Sequence, residues 1–566
     1  MSRSVRRRPG APAATGDELV VALGRHAGTE VSGSGASEGT RFLFSSLEES
    51  LRRRCTVVRV PPYFYAADAR RSIEIALDVL TQVDACVFGL PPHPVDLDAF
   101  FVVRARMGRR TPFIYMPLGE FPRGAWFYRH IHRHLEPQDV ILFSSSADKA
   151  VHDALVASTP SRVAVAPFGI RPARFRISPT ARATTRRHLG VGPDEVVFVY
   201  HGRVTAEKNV HGAAMMFRRI ARERPRPRLW IIGPIDGEGA RSPGPRAVSR
   251  LPDTQLTRAF KQILSSDGVE EGVSFWGALS PEALPEILAA ADVGVNLTLN
   301  GDENFGYGTV EAMAAGLPVI GADWGGLKDT IEDGVTGFLV PTFVTPQGVG
   351  IDHVVAHRSA LRLLHDERRR RVMGARSRRR AARLFTLDRF ADTMMAQIRA
   401  QLSTADPRPG APHAWSPLGE RLVEAYSAPL SEGEAFTLPL LVPPGPTLFR
   451  DHPLMQEILR PYASGERPTS AHPGATLFLL TDLFRVHGRS LRSSDPRHPG
   501  PVELAGAVDR ALVGLLQERG FLDRASLLRE AQRRFDAGAV RASLRRLSSG
   551  GIVQQSIAPA EPRERS

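Results

Sequence analysis

Cysteine is almost missing: Cys55 and Cys86 are the two present in 566 residues. Both sit in strand-like apolar runs, which excludes a disulfide framework and a thiolate metal site and suits a reducing cytoplasm. No apolar run approaches the ~20 residues a helix needs to cross a bilayer, so no transmembrane segment is expected. The opening stretch MSRSVRRRPGAPAATGD is basic, and no apolar segment follows it. It therefore reads as a disordered tail over 1–17 rather than a secretory signal. What is present is ordinary for a soluble globular chain: 42% hydrophobic and 24% charged residues, enough for sizeable cores. The length suits three or four domains. The net charge of +14, mostly arginine, is not gathered in one run. It fits nucleic acid, anionic headgroups or phosphorylated substrates, and equally an arginine-biased proteome.

Short apolar runs alternate with amphipathic segments from residue 18 to about 175. ELVVALG reads as a strand, followed by the Gly/Ser loop HAGTEVSGSGASEGT and the helix RFLFSSLEESLRR. The strands CTVVRV, ACVFGL, PFIYMPL, DVILFSSS and RVAVAPFG follow, separated by helices. Strands apolar throughout imply a parallel sheet covered on both faces. The pattern restarts at DEVVFVYHGR and continues through RLWIIG, VSFWG, DVGVNLT and PVIGAD to long amphipathic helices near residue 400. The expected fold is thus α/β, with two facing Rossmann-like doubly wound domains at 18–175 and 176–400 and a ligand cleft between them. Pro/Gly-rich stretches mark 401–501 as linker with short helices, leaving the chain up to Ala400 self-sufficient. Three helical segments make a module at 502–557, and 558–566 is a tail.

The stretch GDENFGYGTVEAMAAGLPVIGADWGG carries the most chemistry. It reads as a loop at the carboxyl end of the strand DVGVNLT, then the helix TVEAMAAG, stopped by Gly316 ahead of Pro318. Ligands of open α/β sheets bind outside the carboxyl ends of strands. Gly306 and Gly308 allow close backbone approach, and the N–H groups of the helix start suit a phosphate. Glu303 in the loop and Glu311 one turn into the helix can point to one side. Each carboxylate can accept two hydrogen bonds from a vicinal diol, so the pair fits a nucleotide-sugar. After DEVVFVYHGR, Arg203 and Lys208 offer two cations to phosphate oxygens.

ENFGYGTVEAMAAGLPVIGADWGGLKDTIEDGVTGFLV resembles the Glu-x7-Glu signature of family-4 retaining glycosyltransferases with the GT-B fold, and HGRVTAEKNV resembles the same family's Gly-Arg…Glu-Lys loop. The resemblance runs from about Glu18 to Ala400. It implies that Arg203 and Lys208 grip the nucleotide diphosphate. Glu303 holds the donor sugar beside the backbone of Asn304, Phe305 and Gly306, and Glu311 holds the ribose. Backbone amides near Gly308 and Thr309 reach the diphosphate, as does the N-terminal glycine loop around Ser37 and Gly39. It further implies hexosyl transfer from a nucleotide-diphosphate sugar to an unidentified acceptor, by front-face attack with no metal or other cofactor.

The sequence departs from the family at FIYMPLGEFPRG, where Leu118 stands in place of a usual histidine or arginine, beside Gly119 and Glu120. A regulator that senses sugar-nucleotides or binds DNA on the same scaffold is the competing reading, but a bare scaffold has no need of Glu303, Glu311, Arg203 and Lys208 together. A phosphorolytic enzyme would need a pyridoxal-phosphate lysine, and none has that context. His130 and His134, at i and i+4, read as a surface helix rather than a zinc site. The module at 502–557 resembles a winged helix. Leu504, Val508, Leu512 and Leu515, then Val540, Leu544 and Leu547, lie at helical spacing. Arg541 and Arg545 face outward toward a protein or DNA partner.

Overall fold

A strand that is apolar on both faces has to be covered on both faces, and two separate sheets of this chain meet that demand. The computed structural model describes residues 18–24, 35–60, 69–90, 94–117, 131–235, 245–265, 269–301, 303–345, 348–404, 411–425, 453–464, 474–497 and 501–556. The chain divides into two compact units, Met1–Arg171 with Leu384–Ser431, and Pro172–Arg383 with Glu432–Ser566. Both are Rossmann-like α/β units, and the architecture is of the GT-B class.

In the first unit six parallel strands lie in the order Thr56–Arg59, Val20–Gly24, Ala85–Leu90, Phe113–Pro117, Val140–Phe143 and Arg162–Val165. Val21, Ala22, Cys86, Val87, Phe113, Ile114 and Val140 are fully buried in it. Burial pushes the Cys55 thiol up to about 11 and the Cys86 thiol higher still, so both are packing groups rather than nucleophiles. One ion pair is buried here: Arg104 Nη1 donates to Asp139 Oδ1 at 2.6 Å, and Asp139 also accepts from the backbone N–H of Phe113 at 2.9 Å.

Three expectations shift in this unit. The helix expected from residue 41 starts at Gly35 and runs to Leu51, so Ser37 and Gly39 lie in its first turns and not in an open loop. Leu118, Gly119, Glu120 and His130 lie outside the described residues. His134 ends a single 3-10 turn, His132–His134, and stacks on the Phe101 ring at 4.4 Å. The second domain was expected to end near residue 400, yet the helix Leu387–Ser403 belongs to the first unit. There Ile170 bonds to the backbone of Phe385 and Leu387, and Arg53 and Arg54 pair with Asp388.

In the second unit the parallel order is Val273–Gly277, Arg226–Ile232, Glu195–His201, Val293–Asn296, Val319–Ala322 and Gly337–Val340. Counted along the chain this is 3-2-1-4-5-6, in which the direction of winding reverses between the first strand and the fourth. Those two strands, Glu195–His201 and Val293–Asn296, are the ones that deliver the two loops singled out by the sequence.

The C-terminal residues are more than linker. Thr476–Leu479 pairs with Leu522–Asp523 and Val553–Gln555, and Phe484–His487 pairs with Ser490–Ser493, which pairs with Val502–Glu503. The helices Ala507–Arg519, Arg524–Gln532 and Ala537–Ser549 bury Leu512, Leu527, Val540, Leu544 and Leu547. Val508 and Leu515 are only partly buried. Arg541 and Arg545 are exposed. The residues after Glu432 fall in the same compact unit as the second sheet, so the expectation of a domain sufficient by residue 400 does not hold for its contacts. Phe478, for example, is fully buried with Phe343 and Val354 of the α/β part. Proline and glycine in the connecting stretches hid this packing, since composition reports backbone preference and not what the neighbouring side chains cover.

Candidate nucleotide-sugar site

The site begins where the strand Glu195–His201 ends. Gly202 takes φ +147°, and Gly233 faces it so closely that a Cβ on Gly233 would lie 1.8 Å from the Gly202 carbonyl oxygen. Beyond it Tyr200 Oη donates to the Arg203 carbonyl at 2.6 Å, and Thr205 Oγ1 accepts from the Lys208 N–H at 3.3 Å. Burial pushes the Tyr200 phenol far up, so it stays a neutral donor. The buried Asn209 is left-handed at φ 49° and opens the helix Val210–Ile220. Its Nδ2 donates to the Leu297 carbonyl at 2.8 Å, while the Leu299 N–H donates to the Glu207 carbonyl at 3.2 Å. These bonds join the loop after the first strand to the loop after the fourth.

That second loop is itself closely held. Asn296 Nδ2 donates to Thr309 Oγ1 at 2.9 Å, Trp324 Nε1 donates to the Asn300 carbonyl at 2.8 Å, and the Gly326 N–H donates to the Glu303 carbonyl at 2.7 Å. Gly306, at φ +77°, turns the chain into the helix Tyr307–Ala315, which Gly316 closes at φ +91°. A Cβ on Gly308 would lie 2.3 Å from the His201 carbonyl oxygen. The glycine is therefore required by the docking of the helix start onto the first strand, whatever a ligand adds. The N–H groups of this first turn have no intrahelical acceptor.

The four charged groups singled out by the sequence all lie in this second unit. Lys208 Nζ stands 2.5 Å from Glu303 Oε2, the two side chains being 18% and 6% exposed. His201 Nδ1 lies 3.1 Å from Glu311 Oε2. Asn304, Phe305, Gly306 and Thr309 are buried around Glu303. Arg203 is half-buried and forms no side-chain ion pair with a described residue. Sequence reasoning missed His201, Asn209 and Asn296. His201 had a legible signal, as the last residue of a strand running into the Gly-Arg loop. The two amides had none, because each acts on a backbone or hydroxyl group far along the chain. Among the described residues no group of three or more side chains is arranged to hold a metal ion, and no helix is long and apolar enough to cross a membrane.

This arrangement offers two cations and two carboxylates at the carboxyl ends of the strands that flank the reversal of winding, the place where dinucleotide and nucleotide ligands bind in such sheets. Residues 181–380 match the family model described as glycosyl transferases group 1. The chain is 31% identical over 246 residues to the D-inositol 3-phosphate glycosyltransferase of Geodermatophilus obscurus, covering 43% of this chain and 48% of that one. It is 32% identical over 183 residues to the protein of that name from Nocardia farcinica, covering 32% and 36%. The chain spans about half the length of the first of these curated relatives and less of the second. Among solved structures, Anabaena HepE in complex with UDP superposes with a TM-score of 0.50 at 16% identity, over 68% of this chain and 100% of that one. Over residues 181–380, the stretch that holds Arg203, Lys208, Glu303 and Glu311, this chain is similar to the glycosyl transferases of group 1.

Proposed function

We propose that the chain is a retaining glycosyltransferase of the family-4 kind, moving a hexosyl group from a nucleotide-diphosphate sugar to an acceptor hydroxyl. The observation that carries this reading is the ion pair of Lys208 with Glu303, formed between the loops that follow the first and fourth strands. The match over residues 181–380 and the names of the curated relatives support it.

In this reading an arriving diphosphate takes over Lys208, so that Glu303 is released to accept hydrogen bonds from the donor sugar. Arg203 and the N–H groups of Gly308 and Thr309 add donors to the phosphates, and Glu311, beside His201, accepts from the ribose. The bond from the anomeric carbon to the phosphate oxygen breaks, and its electron pair leaves with the diphosphate. The acceptor oxygen bonds to the anomeric carbon on the same face, and its proton passes to the departing phosphate oxygen. The protein contributes position and charge stabilisation on the leaving group, and Arg203 with Lys208 supplies that charge without a metal. The helix Ala537–Ser549, with Arg541 and Arg545 outward, belongs on this reading to a winged-helix-like module that engages a protein or nucleic-acid partner.

The test is a panel of UDP-, GDP- and ADP-sugars with acceptors that include D-inositol 3-phosphate, followed by nucleoside diphosphate release and by NMR of the product anomer. Turnover with retention is expected, and Glu303→Gln should lower it about a hundredfold or more, as loss of a transition-state contact does. No transfer from any donor would overturn the activity, and an inverted anomer would overturn the mechanism.

A further inference from the structure

Two places in the C-terminal residues touch the backs of the loops that carry Lys208 and Glu303. The first is the 3-10 turn Arg460–Tyr462. Tyr462 is fully buried, and its carbonyl accepts from the Gly325 N–H at 3.0 Å. Its ring meets that of Trp324 edge-on at 5.4 Å, and Trp324 Nε1 in turn holds the Asn300 carbonyl. Lys328 Nζ fixes the turn from both sides, donating to Pro461 O at 2.9 Å and Ala463 O at 3.1 Å. Between the turn and the donor loop there is no spare room. A Cβ on Gly325 would lie 2.3 Å from the Glu303 carbonyl oxygen, and one on Gly326 would lie 2.1 Å from that of Asn304. Tyr462 is thus connected to the backbone of Glu303 through the two glycines.

The second place is Asp495. His211, three residues beyond Lys208 in the first turn of the helix Val210–Ile220, puts its Nε2 3.1 Å from Asp495 Oδ1, with both side chains wholly buried. Arg497 Nη2 closes on Asp495 Oδ2 at 2.9 Å and its Nε on Oδ1 at 3.2 Å. Arg497 thus closes on both oxygens of a buried carboxylate, which is costly to disturb because the guanidinium would lose its counter-charge away from water.

We propose that the C-terminal residues are part of the donor site itself, bracing both phosphate- and sugar-binding loops, with Tyr462 and Asp495 as positioning residues. Linked to the fold at both loops, they set how often the site is in its binding-competent shape. This rests on the nucleotide-sugar reading above, but its central test does not.

The experiment uses the full chain and the variants Tyr462→Ala, Tyr462→Phe and Asp495→Asn. Amide hydrogen exchange is followed in peptides covering 299–309 and 203–212, and calorimetric titrations use UDP, GDP and ADP. Tyr462→Ala should speed exchange selectively in 299–309 and raise Kd about tenfold, the factor expected when the competent loop is populated about a tenth of the time. Tyr462→Phe, which keeps ring and carbonyl, should restore both. Asp495→Asn should act selectively on 203–212. Unchanged exchange in folded variants, or acceleration spread evenly over the second unit, would overturn the proposal. If the wild type binds none of the three nucleotides, the function reading fails, and the exchange pattern alone then decides the bracing.

Discussion

Removing Lys208 should harm the fold more than removing Lys208 and the charge of Glu303 together. At 2.5 Å, with an effective dielectric of about 20, the Coulomb attraction between the two charges is about 7 kcal/mol. Taking both groups out of water offsets most of it, so the pair as a whole is close to neutral for stability. The asymmetry lies in the exposures. Glu303 keeps 6% of its side-chain surface, while Lys208 keeps 18% on a flexible stem that can turn toward solvent. Lys208→Met therefore strands a buried carboxylate and should cost about 3–5 kcal/mol. Glu303→Gln leaves a cation with an exit and should cost about 1–2 kcal/mol, in the range for one unmade hydrogen bond. The double variant should be more stable than Lys208→Met alone, with a coupling energy of about 2–3 kcal/mol. Urea denaturation of the full-length proteins, at fixed pH and salt, supplies the four corners of the cycle. The ligand side gives an independent check: Glu303→Gln releases Lys208, so nucleoside diphosphate affinity should hold or rise while turnover falls. Additivity within about 0.5 kcal/mol, or a weaker diphosphate affinity in Glu303→Gln, would refute the competition between Glu303 and phosphate for Lys208.

Two further outcomes follow from close packing and from burial. Gly308→Ala places a Cβ 2.3 Å from the His201 carbonyl, so the helix start must move away from the strand. A loss of about 1–3 kcal/mol by denaturation and weaker diphosphate binding are expected, and a variant with unchanged midpoint would show that the helix start yields freely. His353 is buried, which pushes its imidazole down to about 4 from the usual 6.5. The unfolded chain then takes up that proton first, so stability should fall as pH drops from about 6.5 toward about 4 and level off below. His353→Gln should flatten the curve in that window relative to wild type, and identical slopes would refute the assignment.

Much of the α/β architecture was legible because burial on both faces leaves a local mark. Runs such as VVFVY and ACVFGL are apolar at every position, and a parallel sheet is the arrangement that uses such strands. The helix Tyr307–Ala315 was legible from Gly316 and Pro318, and so was the placing of Glu303, Glu311, Arg203 and Lys208 in loops and elements that follow strand ends. Local periodicity states which face of an element is apolar but not which surface will cover it. For that reason the plain amphipathic pattern of the helix Leu387–Ser403 does not reveal that it packs in the first unit.

The sequence by itself thus determined the alternation of strands and helices, the two doubly wound units and the residue types that end at the second sheet's carboxyl edge. Only the tertiary structure decided which charges meet. Lys208 pairs with Glu303 across 95 positions, and His201 faces Glu311 because Gly308 admits the helix to the end of the first strand. It also decided that Tyr462 and Asp495, from a stretch that reads as linker, lie against the loops that carry Glu303 and Lys208. Polar pairs and close glycine contacts of this range have no period along the chain, since each is fixed by two backbones that approach one another only after the sheet has formed.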